Sequence, residues 1–300
     1  AGLFGSASGL AIAEAARRHP GPVLVVGRTA NRLQQMEDEI RFYLGAGGLP
    51  VLPFPDWESL PYDAVSPHPD IVSQRLATLH ALPALGQGIV LATASTLMHR
   101  LAPREYVAGH SFMLKRGERL DASRLRAQLA QAAYQNVSQV MEPGEFALRG
   151  GLIDVFPMGG HSPFRLDLLD DQIDSIREFD PATPRSGRQL DEIKLLPARE
   201  FPLTEAAIHR FRQRFRARFE GDPQRSSIYR DVSQGLSPAG IEYYLPLFFE
   251  RTASFFDYLP ANALCIIDSG VAESAAAFAR EIEERYRELR LAQDRPCLSP

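Results

Sequence analysis

Two cysteines, Cys265 and Cys297, are all that the 300-residue sequence contains, and their spacing matches neither a metal knuckle nor a disulfide framework. A zinc site and a disulfide are therefore not expected. Cys265 lies inside the apolar run "ALCII" and reads as a buried, reduced thiol. Long apolar runs are missing too. None approaches the ~20 residues that cross a bilayer, and the N-terminus has no basic stretch followed by a signal-like core. These absences predict a cytoplasmic chain without membrane contact. Positive charge is not in excess either: the formal net charge is −4, so no global field marks a nucleic-acid binder and any such contact has to be local. An initiator Met is absent and "DRPCLSP" ends without a helix cap, which predicts a piece of a longer chain.

A further absence concerns "LFGSASGLAIAEAARRHPGPVLVVG", residues 3–27. It has the glycine-rich look of a phosphate-binding loop, whose form G-x-x-x-x-G-K-[ST] supplies backbone N–H groups, an ammonium and a hydroxyl. With Gly9 as the second glycine, the first falls on Phe4, the lysine on Leu10 and the magnesium-binding hydroxyl on Ala11. A loop without Lys and Ser/Thr cannot neutralise the β and γ phosphates or hold the metal. What Gly5, Ser6, Ser8 and Gly9 can still build is a tight turn and a helix start.

What is present is an ordinary globular composition, 45% hydrophobic and 23% charged, with length for two or three domains. Residues 1–110 alternate helices with all-apolar strands such as "PVLVVG" and "GIVLAT", the pattern of a parallel sheet covered on both faces. Pro69 and Asp70 read as a helix start, with Pro in the first turn. Residues 111–197 switch to short strands, among them "SQVME", "EFALRGGLIDVFP" and "DEIKLLPA". In "FRLDLL" and "IDSIREF" apolar and polar residues alternate with period 2, and "DDQ" supplies the turn between them, so this α+β segment carries an antiparallel sheet with one wet face. Such a face is a natural place for a partner to dock. Residues 198–300 become helical again, and strand "ALCIIDSG" before a long helix from Val271 reads as one more α/β unit.

Taken in order, "PDWESLPYDAVSPHPDIVSQRLATLHAL", "IVLATASTLMHRLAP", "GEFALRGGLIDVFPMG", "FRLDLLDDQIDSIREFDPATPRS", "IKLLPAREFP" and "PAGIEYYLPLFF" resemble the N-terminal part of the bacterial transcription-repair coupling factors, the Mfd family. The resemblance covers essentially the whole chain. It implies the three-domain block shared with the excision-repair helicase UvrB: a degenerate phosphate-loop α/β domain (1–110, called 1a), a small UvrA-binding α+β domain (111–197, called 2) and a further α/β domain (198–300, called 1b). UvrB itself has an intact phosphate loop and an aromatic-rich hairpin that enters damaged DNA. Here Leu10 and Ala11 replace the working residues of the loop, and the run from Trp57 to Arg75 has only Trp57 and Tyr62 as aromatics. The resemblance thus implies a module that hydrolyses no ATP and recruits UvrA to stalled transcription sites in nucleotide excision repair. ATP and Mg, RNA polymerase and DNA are expected to be handled by a translocase motor and a polymerase-binding domain beyond residue 300. A C-terminal domain is expected to mask the docking sheet. The alternative is a nucleotide-dependent, damage-binding helicase of UvrB type.

The same resemblance implies the site. Positions matching the family's UvrA contacts are Arg149 in "FALRG" and Arg165 in "FRLD", and the family pattern has an aromatic where Leu169 stands. Arginine suits such a contact because its planar fork pairs bidentately with carboxylates and is enriched among interface hot spots. The plainer reading pairs each arginine with a neighbouring carboxylate such as Asp167 or Glu145. Arg149→Ala with Arg165→Glu is expected to abolish UvrA binding without changing the thermal melt. Asp167, Asp170, Asp171 and Asp174 suggest a metal cluster, but on alternating strands around a turn they read as a solvated hairpin tip. In "HRFRQRFRARF", Ile208, Phe211, Phe215 and Phe219 recur at helical spacing and read as a core stripe with the arginines on the wet side, while a phosphate contact remains a second reading.

Overall fold

Strand "PVLVVG" is buried along its whole length because two layers of helix cover the sheet it sits in. In the computed structural model, which describes residues 5–181, 183 and 186–300, α1 (Ala7–Arg18) leads into β1 (Pro22–Gly27), followed by α2 (Ala30–Leu44), β2 (Val51–Phe54), α3 (Pro69–Ala81), β3 (Gly88–Thr93), α4 (Ala94–Leu97) and α5 (Arg104–Gly109). The strands are parallel, and alternate side chains leave on opposite faces. Val23, Val25, Ile89 and Leu91 pack with Ile12, Ala16, Met36 and Ile40 of α1 and α2, whereas Leu24, Val26, Val90 and Ala92 join the larger core that runs through the rest of the molecule. The helix at Pro69 begins as the sequence predicts, with Pro in the first turn and His68 as its N-cap.

The middle segment opens with β4 (Phe112–Lys115) and α6 (Ala122–Gln131), continues through β5 (Gln135–Asn136), β6 (Glu145–Arg149), β7 (Leu152–Val155), β8 (Phe164–Leu169), β9 (Gln172–Phe179) and β10 (Ser186–Leu190), and closes with β11 (Glu192–Leu195). Strands β10-β9-β8-β7-β6-β5 form one sheet, antiparallel except for the short β5–β6 pair. "SQVME" is not a strand; the pairing falls three residues earlier, on β5. Entry and exit of the segment are tied together, because β4 pairs with β11, Phe112 opposite Leu195.

The last segment contributes α7 (Glu205–Arg218), α8 (Ser227–Ser233), β12 (Leu264–Ile267) and α9 (Val271–Leu289). Strand β12 does not found a sheet of its own. It pairs in parallel with β1, giving the order β12-β1-β3-β2. The apolar "LCII" therefore lies at a sheet edge, and Cys265 is exposed, correcting its reading as a buried thiol. An all-apolar run signals a strand flanked on both sides, and here one flank is open among the described residues. The stripe in α7 is as expected: Phe211 and Phe215 are buried, and Ile208 and Phe219 pack against the same core.

Candidate functional site

The six-stranded sheet presents one face to the core and one to solvent. Phe146, Ile153, Val155, Leu166 and Ile176 are all buried on the inner side. Register places the opposite set side by side: Arg149 opposite Leu152, Leu152 opposite Asp167, and Asp154 opposite Arg165. Neighbouring β9 adds Arg177 opposite Arg165 and Ser175 opposite Asp167. The three residues singled out in the sequence, Arg149, Arg165 and Leu169, thus share one outward face. Leu169 ends β8 with two-thirds of its surface open, at 67%, and Leu152 is an exposed apolar neighbour.

Each arginine has an intramolecular anchor, for Arg165 a neighbouring carboxylate as the plainer reading expects, though it is neither Asp167 nor Glu145. Arg165 forks onto Asp154, Nε to Oδ1 at 2.7 Å and Nη2 to Oδ2 at 2.8 Å. Asp167 instead accepts the Ser175 hydroxyl at 2.5 Å, and Glu145 accepts the backbone N–H groups of Met141 and Glu142. Donating to the Asp154 carboxylate pushes the Arg165 pKa further up, and the guanidinium lies 5.0 Å from the Phe179 ring centroid. Arg149 donates through Nη2 to the Ser138 carbonyl. Two of the five guanidinium N–H groups of Arg165 face Asp154, and the rest remain for a partner. Asp154 is the residue the sequence reading missed; strand alternation through "LIDV" puts it on the wet face, and only the β7–β8 register brings it to Arg165.

The glycine-rich stretch sits elsewhere and does different work. Phe4 lies outside the described residues. Gly5 takes a positive φ of 58°, and Gly9, Leu10 and Ala11 fall within α1, ahead of β1 and not behind it. A Cβ on Gly9 would stand 2.5 Å from Glu39 Cβ, so this glycine lets α1 and α2 approach closely. Leu10 and Ala11 point to solvent. At the hairpin tip Asp170 holds a positive φ of 56° and Asp171 lies 3.8 Å from Arg119. Among the described residues, no three or more His, Cys, Asp or Glu side chains are grouped to hold a metal ion, and no helix is long and apolar enough to cross a membrane.

A buried polar cluster fastens the exit of the middle segment to the parallel sheet. Arg75, fully buried on α3, pairs with Glu200 at 2.5 Å and donates to the Pro55 carbonyl at 2.8 Å. Its guanidinium lies 4.3 Å from the Phe54 ring centroid, and Trp57 donates to Glu200 at 3.4 Å. His99 stacks on Trp57 at 4.5 Å, and neither ring nitrogen has a hydrogen-bond partner among the described residues. Burial drives its pKa down to about 4, so the ring is neutral. Nearby, burial lifts the Glu242 carboxyl to about 7.

Over 299 residues, 99% of this chain and 26% of that protein, the chain is 42% identical to the transcription-repair-coupling factor of Escherichia coli (strain K12). Nearly every residue of the chain thus has a counterpart in a transcription-repair-coupling factor. The chain is also 42% identical to the coupling factor of Haemophilus influenzae, over 98% of the chain and 26% of that protein, and 27% identical to that of Bacillus subtilis, over 89% and 24%. It therefore spans about a quarter of the length of the curated coupling factors it matches. A family model described as the UvrB interaction domain matches residues 112–201. That span runs from β4 to the Arg75–Glu200 fastening and holds the whole six-stranded sheet with its wet face.

Proposed function

We propose that this chain is the partner-docking module of a transcription-repair-coupling factor, which recruits UvrA to stalled transcription sites in nucleotide excision repair through the wet face of the six-stranded sheet. The observation that carries the reading is the coincidence of that face, with Arg149, Arg165 and Leu169 side by side, with the stretch that matches the UvrB interaction domain. A hot spot works best when it is held in its binding geometry beforehand. The Asp154 fork does this for Arg165, and Leu169 with Leu152 gives the basic face an apolar centre. The flanking segments, 1–110 and 198–300, serve as the body from which residues 111–197 project.

In this reading the module needs no ATP or metal of its own. ATP, Mg, DNA translocation and displacement of RNA polymerase belong to parts of the longer cytoplasmic protein beyond residue 300. The test is calorimetric titration of UvrA with the chain and with Arg149→Ala/Leu169→Ser, two exposed positions. A hot-spot loss of about 2 kcal/mol, roughly 30-fold in affinity, is expected; unchanged affinity sinks the assignment. Titration with a fluorescent ATP analogue separates the UvrB-type alternative, which requires saturable micromolar binding where none is expected. If a C-terminal domain masks the sheet, the full-length protein binds UvrA more weakly than this chain.

A further inference from the structure

Helices α7 and α8 carry a charge imbalance that docking on the sheet does not use. Residues 205–231 hold seven arginines and four carboxylates, in a chain whose net charge is −4. Arg210 lies 3.8 Å from Glu250. Among the described residues, Arg212, Arg214, Arg216, Arg218, Arg225 and Arg230 meet no carboxylate within 4.0 Å, and their contacts are neutral. Arg214 donates to the carbonyls of Pro246 and Glu250, Arg230 to that of Gln224 at 2.6 Å, and Arg225 to the Gln293 side chain at 2.9 Å. Such contacts aim a guanidinium without neutralising it.

The arginines stand in two rows along α7, one on either flank of its buried Phe211 and Phe215. Along α7, Arg210, Arg214 and Arg218 recur every four residues, as do Arg212 and Arg216, a rise of about 6 Å per step. Tyr229 of α8 packs on Phe215 at 5.2 Å between centroids, and the guanidinium groups of Arg212 and Arg216 lie 6.0 and 5.5 Å from its ring centroid. Arg218, Arg225 and Arg290, together with Glu220 and Asp222, line a groove of about 590 Å³ between the end of α7 and the end of α9. Compensation of helix dipoles accounts for Arg216, Arg218 and Arg230, which stand in last turns. It does not account for Arg212 or Arg214.

We propose that this α7–α8 surface binds the phosphate backbone of duplex DNA, giving the docking module its own sequence-independent hold on the nucleic acid. The choice of DNA rests on the coupling-factor reading above. The choice of duplex rests on the rings: Phe211, Phe215 and Tyr229 are buried and Phe219 is half-buried, so among the described residues neither helix offers a fully open Phe or Tyr ring as the stacking platform that single strands require. Arginines with spare N–H donors and no exposed aromatics suit regularly spaced phosphates.

The experiment is a gel-shift titration of the 300-residue chain on a duplex DNA of arbitrary sequence, a single strand of the same length and an RNA duplex. Duplex DNA should bind with a micromolar Kd at low salt. For about four phosphate contacts, affinity should fall roughly 100-fold between 50 and 200 mM salt. Arg216→Glu/Arg218→Glu/Arg225→Glu should lose at least ~10-fold in affinity and show a shallower salt slope, with an unchanged thermal melt and unchanged UvrA binding. Absence of a shift at 50 mM salt, equal binding by the variant, or tighter binding of the single strand or of RNA overturns the proposal. UvrA binding is read separately, so its loss with DNA binding intact strikes only the docking reading.

Discussion

Arg165 and Asp154 face each other across β7 and β8 in a two-point fork, at 2.7 and 2.8 Å, with the carboxylate almost fully buried and the arginine 40% exposed on its side chain. The pair is a structural tie and, in the proposed docking role, a positioned hot spot, so the substitution that reads most simply in the sequence has a double effect. Arg165→Glu sets a carboxylate against Asp154 and should lower stability as well as UvrA affinity, by about 1–3 kcal/mol in urea melts. This replaces the expectation of an unchanged melt. Asp154→Ala should weaken UvrA binding although Asp154 is itself shielded, because the Arg165 fork loses its anchor. A melt of Arg165→Glu indistinguishable from the unmodified protein would show that the fork contributes nothing to folding.

Arg75 and Glu200 set a larger effect. Both are buried, and each is the charge partner of the other. Removing one leaves an uncompensated buried charge, at a cost of about 3–5 kcal/mol. Arg75→Ala should therefore unfold at markedly lower urea than the unmodified chain. Arg75→Met/Glu200→Gln, which removes both charges, should recover a good part of the loss. Equal stability of the single and double variants would refute the pairing. Since Glu200 lies on the exit from the middle segment, protease cleavage between residues 196 and 204 should also speed up in Arg75→Ala.

The periodic parts of the molecule were legible from sequence, and the non-local ones were not. Alternation of apolar strands with helices, the wet face of "FRLDLL" and the buried stripe of α7 all follow from spacings of 2 or 3.6 residues, which the chain carries locally. The position of β12 does not. "ALCII" has the composition of an interior strand, but its place at the sheet edge is set by pairing with β1, some 240 residues earlier in the chain. The cluster of Trp57, Arg75, His99 and Glu200 is scattered in the same way, and no window contains it. For the docking face, the resemblance supplied Arg149, Arg165 and Leu169, while the Asp154 partner needed the register of β7 on β8.

Gly9 offers a test of what became of the glycine-rich stretch. In an ordinary helix Gly→Ala stabilises by about 1 kcal/mol. Here the added Cβ meets Glu39 Cβ at 2.5 Å, and Gly9→Ala should destabilise by about 1–3 kcal/mol through overpacking. Leu10→Lys/Ala11→Thr supplies the Lys and Thr of a phosphate loop on solvent-facing positions of α1 and should yield no binding of an ATP analogue. A stabilised Gly9→Ala variant would mean that α1 and α2 can move apart at no cost.

His99 and Glu242 give the protein two pH dependences of opposite sign. The His99 ring has its pKa depressed to about 4 by burial, so between pH 4 and 6.5 the unfolded chain binds the extra proton. Stability from this group is full above pH 6.5 and is lost as pH falls, by about 3 kcal/mol in all. Glu242 is raised to about 7, so the folded chain holds the extra proton between pH 4.5 and 7. Its contribution is full below pH 4.5 and is lost as pH rises, again by about 3 kcal/mol. The two offset each other between pH 4.5 and 6.5. His99→Phe, which keeps a ring against Trp57 and removes both unpartnered nitrogens, should gain stability over the unmodified protein as pH falls from 6.5 to 4. Glu242→Gln, which can still accept the Ser66 hydroxyl that Glu242 holds at 2.9 Å, should gain stability as pH rises from 4.5 to 7. Urea midpoints across pH 4 to 7.5 check both, and a difference from the unmodified protein that stays constant with pH would show that neither group titrates as its burial dictates.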